Sequence, residues 1–196
     1  RTASMHTEYS DKAIDVLTAA RDLFIQKGFS ATTTKEIAKA AGVNEVTVFR
    51  CFESKAKLFQ AVHLHFYFEP DYSQFESFQA VDLQEYLLFV GRFFQKIFAR
   101  NLNVILIELK ERSMPETKTL IGEYLCNLYE KMFNKVSELK PCTPEEAKTL
   151  SFTFLCSLYG LFINLYIFNP FKTDLEFSAC LDALAEAFTH GPGRAA

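Results

Sequence analysis

The sequence predicts an all-α protein of about nine helices. Apolar residues recur at three- and four-residue spacing through most of the chain. Capping residues, glycines and prolines punctuate the intervals between those stretches. No segment sustains the alternation of a half-buried strand. The 196 residues are 49% hydrophobic and 23% charged, as a folded globular chain requires, and include 21 Phe but no Trp.

In the first helix, Asp11 to Lys27, Ile14, Leu17, Ala20 and Phe24 form one stripe, with Val16 and Leu23 beside it. Gly28 stops it and Phe29 turns back toward the core. Thr33 and Glu36 have capping-box spacing at the head of a second helix, whose narrow apolar face is Ile37, Ala38 and Ala41. Gly42 ends that helix, and Asn44 caps a third that runs from Glu45 to about Phe52. Val43, Val48 and Phe52 face inward there; Val46, Thr47 and Arg50 face the other way. Ser54 caps a fourth helix, striped by Leu58, Phe59, Val62 and Phe66, which ends by Glu69-Pro70.

A polar and aromatic connector covers residues 71–81. Asp82 and Glu85 open a helix to about Arg100, and a shorter one covers residues 103–112. Ser113, Pro115 and Glu116 open another, which reaches about Leu139. Thr143, Pro144 and Glu146 start a helix that continues to Phe168, where Asn169-Pro170 stops it. Thr173 and Glu176 cap the last helix, which reaches about Phe188.

Charge and composition narrow the function. The net charge of −3 argues against indiscriminate binding to nucleic acid. Residues 1–68 carry nine Lys/Arg against seven Asp/Glu, a net of +2, while residues 69–196 carry twelve against seventeen, a net of −5. A faintly basic head on an acidic body suits a head that meets phosphate. Cys51, Cys126, Cys142, Cys156 and Cys180 form no C-x-x-C pair, and His63 and His65 do not share a helix face, so no metal is expected. No cofactor is expected either. Reduced thiols and a polar N-terminus point to the cytoplasm. Residues 152–168 are seventeen without a formal charge, fewer than the roughly 20 of a spanning helix, so a fully buried helix is expected rather than a membrane span. No nucleophile elbow, Gly-rich phosphate loop or metal cluster is present, and an enzyme is not expected.

The second and third helices, joined by Ala41-Gly42-Val43-Asn44, form the frame of a helix-turn-helix, whose second helix lies in a DNA major groove. Arg50 suits a bidentate contact with guanine O6 and N7, worth about 1–3 kcal/mol of discrimination; a phosphate contact or a pair with Glu53 are its alternatives. Thr47 suits a thymine methyl or a phosphate. Glu45 either accepts from cytosine N4, repels phosphates from the wrong register, or steadies the start of its own helix. Lys55 stands at the positive end of its helix dipole, where a cation has the wrong sign. Either a phosphate shared with backbone N–H groups offsets this, or Lys55 is a solvated lysine at small cost. Lys35 poses the same choice. Thr33 and Thr34 suit phosphate bonds, capping, or both.

Ala20, Leu23-Phe24, Gly28-Phe29, Thr33-Thr34, Ile37-Ala38, Ala41-Gly42-Val43, Thr47-Val48-Phe49, Phe52, Ser54-Lys55 and Leu58 stand in an order and spacing that resemble the DNA-binding domain of the tetracycline-repressor (TetR) family of transcriptional regulators. The resemblance covers residues 11–66, about a third of the chain. It implies a homodimer on a roughly palindromic operator, with the third helix of each protomer in one major-groove half-site. It implies DNA contacts at Thr33, Thr34, Lys35, Asn44, Glu45, Val46, Thr47, Phe49, Arg50 and Lys55. It also implies an effector pocket in the C-terminal two-thirds, a four-helix bundle made by the last two long helices and their dimer mates, and release of DNA when effector binds. Two positions depart from the family pattern: Phe49 stands where a tyrosine is common, which removes a hydroxyl–phosphate bond, and Cys51 precedes Phe52 where an aromatic or polar residue is usual.

The expected domains are a flexible N-terminus (1–10), a helix-turn-helix domain (11–56), an effector-binding and dimerisation domain (57–190) joined to it by the helix over 54–69, and a flexible tail (191–196). Phe89 and Phe93, with Phe94 and Phe98, stripe one helix, and Tyr159, Phe162, Ile163 and Tyr166 another. These stripes are either core or the lining of a cavity. As lining they call for a largely apolar or aromatic effector, oriented by Glu108 and Asn164. The helix over 144–168 is apolar nearly all round, so a second copy is expected to cover what one domain leaves open, and Gly160 allows close approach. The alternative to a regulator is a helical ligand-binding protein whose head has lost specific DNA binding, which Phe49 and the low head charge favour.

Overall fold

A computed structural model describes residues 9–110 and 120–190. The expected tail over 191–196, most of the expected flexible N-terminus, and the helix start at Ser113, Pro115 and Glu116 lie outside the described residues. Among these residues there are ten α-helices and no strand. They are α1 (Asp11–Lys27), α2 (Thr34–Ala40), α3 (Glu45–Phe52), α4 (Lys55–Phe66), α5 (Ser73–Ser77), α6 (Leu83–Arg100), α7 (Leu102–Lys110), α8 (Leu120–Leu139), α9 (Pro144–Phe162) and α10 (Phe177–His190). The described residues divide into two compact units, one of 9–68 with 101–110 and one of 69–100 with 120–190.

The first unit is larger than the head expected over 11–56. All of α4 belongs to it, because Leu58, Phe59 and Val62 are buried in the same core as Val16, Leu17, Ala20 and Phe24 of α1. Helix α7 adds Ile107 to that core, and the Lys110 ammonium donates to the Gln26 carbonyl at 2.8 Å. The buried stripe of α1 is turned from the expected one: Ala13 is buried, while Ile14 is 39% exposed. Asn101 closes the unit where the chain re-enters it. Its side chain is buried, accepts from the Phe68 N–H at 2.8 Å and donates to the Phe68 carbonyl at 3.0 Å.

The second unit is built on α6, which buries Leu83, Tyr86, Leu87, Val90, Phe93, Phe94, Ile97 and Phe98. Helix α10 lies against it at Gly91, where an added methyl would stand 2.2 Å from a Leu181 methyl. The connector expected over 71–81 contains a short helix, α5, whose approach the Asp71 carboxylate marks by accepting from the Ser73 N–H at 3.0 Å. Helix α10 starts at Phe177, later than expected. The Thr173 hydroxyl accepts from the Leu175 N–H at 3.1 Å, so it does not cap through Glu176. Helix α9 does carry its expected cap, with Thr143 and Glu146 exchanging bonds. Beyond Phe162 it widens into a π-helical run, Ile163–Phe168. Within one chain the expected burial of this helix is only partial. Residues Pro144–Phe168 are long and apolar enough to cross a membrane: an 18-residue window within them has a mean hydropathy of 1.7, and 33% of that window is buried. Phe152, Tyr166 and Phe168 are exposed.

Candidate nucleic-acid interface

The turn between α2 and α3 is fixed by backbone bonds. Gly42 has φ +66°, a conformation glycine adopts without strain. Its N–H donates to the Lys39 carbonyl at 3.3 Å, and the Val43 N–H to the Ala38 carbonyl at 3.0 Å. This paired arrangement is a Schellman stop. Two residues on, the Asn44 side chain accepts from the Val46 N–H at 3.0 Å and starts α3.

The start of α2 is closed from its other side. The Thr33 N–H donates to Glu36 at 3.0 Å, the Glu36 N–H donates to the Thr33 hydroxyl at 3.2 Å, and the Lys27 ammonium donates to Glu36 at 2.6 Å. The Lys27 bond, followed by the backbone and side-chain bonds to Thr33, holds the Glu36 carboxyl down to about 2, from an ordinary 4.5. The Thr34 hydroxyl donates to the Glu45 carboxylate at 2.7 Å and so joins the starts of α2 and α3. Glu45 therefore has a partner inside the fold, as the helix-steadying role requires.

Helix α3 buries Val48 and Phe52 and turns its other face outward. Val46 is 71% exposed, Phe49 46%, and Arg50 is exposed beside them, with Thr47 half-buried. The Glu53 carboxylate pairs with Lys57, and Arg50 has no hydrogen-bond partner among the described residues. Glu53 itself has φ +62°, which non-glycine residues rarely adopt, and the chain bends there into α4. Nothing in the residue type announces that bend.

Lys55 and Lys35 part company. Lys35 is exposed. The Lys55 ammonium donates to the Phe29 carbonyl at 2.9 Å and the Thr32 carbonyl at 2.8 Å, and lies 4.2 Å from the Phe29 ring centroid. Its unfavourable place at a helix start is thus answered within the protein. This internal seat was missed in the sequence because Phe29 lies 26 residues away.

The eight residues expected to line an effector pocket fall in both units. Glu108 sits on α7 in the first unit, the other seven in the second. Phe89 and Phe93 line a groove of about 270 Å³ between α5 and α6, with Phe78, Arg92 and Lys96. Tyr159 lines a different, apolar groove of about 380 Å³ between α8 and α9, with Cys126, Phe152 and Cys156. Phe162 and Ile163 are buried, Phe162 against Phe94 and Phe98 at 6.3 and 5.3 Å between ring centroids. Asn164 donates back to the Gly160 carbonyl at 2.7 Å, and the exposed Tyr166 accepts from Gln95 at 2.9 Å. Of the second aromatic stripe, Phe162 and Ile163 are thus packed in the core. Among the described residues no three His, Cys, Asp or Glu side chains gather as metal ligands would.

A helix-turn-helix head with an outward-facing α3 defines a DNA-binding protein by class. Comparisons extend this to a family. Residues 16–62 match the family described as bacterial regulatory proteins, tetR family. The chain is 34% identical over 128 residues to the Bacillus subtilis uncharacterized HTH-type transcriptional regulator YvkB, which spans 59% of this chain and 67% of that one. Among solved structures it is similar to Pseudomonas aeruginosa NalD, described as the secondary repressor of the MexAB-OprM multidrug efflux pump, at 22% identity and a TM-score of 0.59 over 94% and 97% of the two chains. It is also similar to Bacillus subtilis FadR in complex with stearoyl-CoA, at 17% identity and a TM-score of 0.60 over 92% and 99%. The protein belongs to the TetR family of transcriptional regulators, and is not an enzyme.

Proposed function

We propose that this regulator is a cytoplasmic repressor, bound as a homodimer to a roughly palindromic operator and released by a largely apolar small molecule. The outer face of α3 carries the DNA half of this reading. Two large apolar side chains, Val46 and Phe49, stand open beside an exposed guanidinium, on a helix whose opposite side is sealed in the core. Such a face suits base edges, with apolar contact to thymine methyls and Arg50 on a guanine. Thr47 joins this face. Thr33, Thr34, Lys35 and Asn44 serve the flanking phosphates, and Glu45 keeps the starts of α2 and α3 in register.

The dimer reading is supported by the open side of α9. Phe152 is 61% exposed, Thr153 and Cys156 are exposed, and nothing lies within 4 Å of where a side chain on Gly160 would begin. Helix α10 adds the exposed small residues Ala179, Ala183 and Ala187. A second copy would bury both helices. For the effector, Phe89 and Phe93 remain as candidates in the α5–α6 groove. NalD is described as a repressor and the FadR structure holds stearoyl-CoA, which supports repression and an effector with an apolar part.

A titration against labelled genomic fragments at two salt concentrations tests the reading. Tight binding to a few fragments, with log K falling linearly in log salt, is expected. Weak and equal binding to all of them would instead support a ligand-binding protein whose head no longer reads sequence.

A further inference from the structure

The cation at the start of α4 is engaged in a way that bears on DNA binding. The Lys55 ammonium holds the Phe29 and Thr32 carbonyls at 2.9 and 2.8 Å and faces the Phe29 ring. Both carbonyls belong to the connection between α1 and α2. That connection is itself anchored: the Phe29 ring packs on Phe59 of α4 at 5.0 Å, and the buried Thr32 hydroxyl donates to the Gly28 carbonyl at 2.7 Å. The next residue, Thr33, caps α2, and the Thr34–Glu45 bond passes the position of α2 on to α3. A lysine at a helix start is unfavourable unless negative charge faces it. Here two carbonyl oxygens and a ring face supply it. Two of its three N–H groups are on carbonyls and a ring face lies beside the ammonium, so a phosphate would have to compete with the ring for the one that remains.

We propose that Lys55 is a positioning residue for DNA binding. It fixes where α2 begins relative to α4, and through α2 the angle at which α3 is presented, and it does not itself neutralise a phosphate. The proposal rests on the DNA-binding reading above and reverses the contact role that the sequence suggested for this residue.

Lys55→Met keeps the stem and removes both the charge and the donors. Its binding is measured, per folded molecule and across a salt series, on a duplex selected from random sequence by the wild-type protein. Affinity is expected to fall about tenfold or more, with the slope of log K against log salt unchanged. A slope shallower by about 0.9 would mean a lost phosphate contact and overturn the proposal. Unchanged affinity with a lowered melting temperature would overturn it as well, leaving Lys55 a role in stability alone. A measurement on wild-type protein guards against a variant that does not fold. In ¹⁵N spectra the Lys55 ammonium is expected to be protected from solvent exchange in the free protein, and to remain so when the duplex is added. Protection that is missing from the free protein, or arises only with DNA, contradicts the clip. If the selection yields no bound duplex, the regulator reading fails first, and the spectrum of the free protein still decides whether the clip exists.

Discussion

The two units use their residues differently. In the first, polar side chains close helix ends over short distances: Thr33 with Glu36, Asn44 with Val46, Ser54 with Lys57. In the second, Thr143 and Asp82 also close helix starts, and a larger network of aromatic rings fills the packing. Phe78 lies flat on Phe89 at 4.0 Å between centroids, and Phe94 on Phe98 at 4.0 Å. The first unit leaves a small, specific face open on α3; the second leaves a long apolar one on α9. A capped, tied head suits a rigid reading surface. An aromatic body with open grooves suits partners that vary, whether a second copy or a small molecule.

The contrast breaks most visibly at α9. Phe152→Asp is expected to turn a dimer into a monomer at micromolar concentration in sedimentation, with the helical circular dichroism kept because the side chain is 61% exposed within one chain. A variant that stays dimeric would remove the open face from the interface. Arg50→Ala should weaken operator binding by about 1–3 kcal/mol and relax preference at one base position. Equal loss on every sequence would make it a phosphate contact instead. Asn44→Ala, which removes the cap of α3, should lower the stability of the first unit by about 0.5–2 kcal/mol, read by denaturant melting. A second unit that melted in parallel would argue against separate units.

The smallest effect is in acid. Folding lowers the Glu36 carboxyl from 4.5 to about 2, so its contribution is complete above 4.5 and is lost as pH falls toward 2. Glu36→Gln should therefore flatten the stability profile across that window and leave its shape unchanged at neutral pH. An unaltered acid limb would place the sensitivity elsewhere, with the Glu146 cap of α9 the next carboxylate to test, since its bonds to Thr143 also hold it below its usual value.

Legibility in the sequence follows the same division. The capping box at Thr33, the stop at Gly42 and the cap at Asn44 could be read because each is made within a few residues. Lys55 could not, because its partners are 26 and 23 residues away, nor could the Thr34–Glu45 bond across eleven. The dipole misfit of Lys55 is visible in the sequence as a choice between a phosphate and a solvated lysine; the two carbonyls that face it are not. In the second unit, periodicity marked Phe162 and Ile163 as one side of a helix without telling core from cavity. It also ran α9 straight through Ile163–Phe168, where the helix widens. A stripe of aromatics specifies burial, and what buries it is a property of the whole packing.

A footprint on a selected duplex tests the central claim most directly. If α3 is the reading helix of a two-headed protein, guanine N7 positions should be protected in two major-groove patches related by a dyad, with centres about one helical turn or a multiple of it apart. Arg50→Ala should lose protection at the same single position in each patch. Protection confined to the minor groove, or one patch with no symmetry mate, would contradict the account.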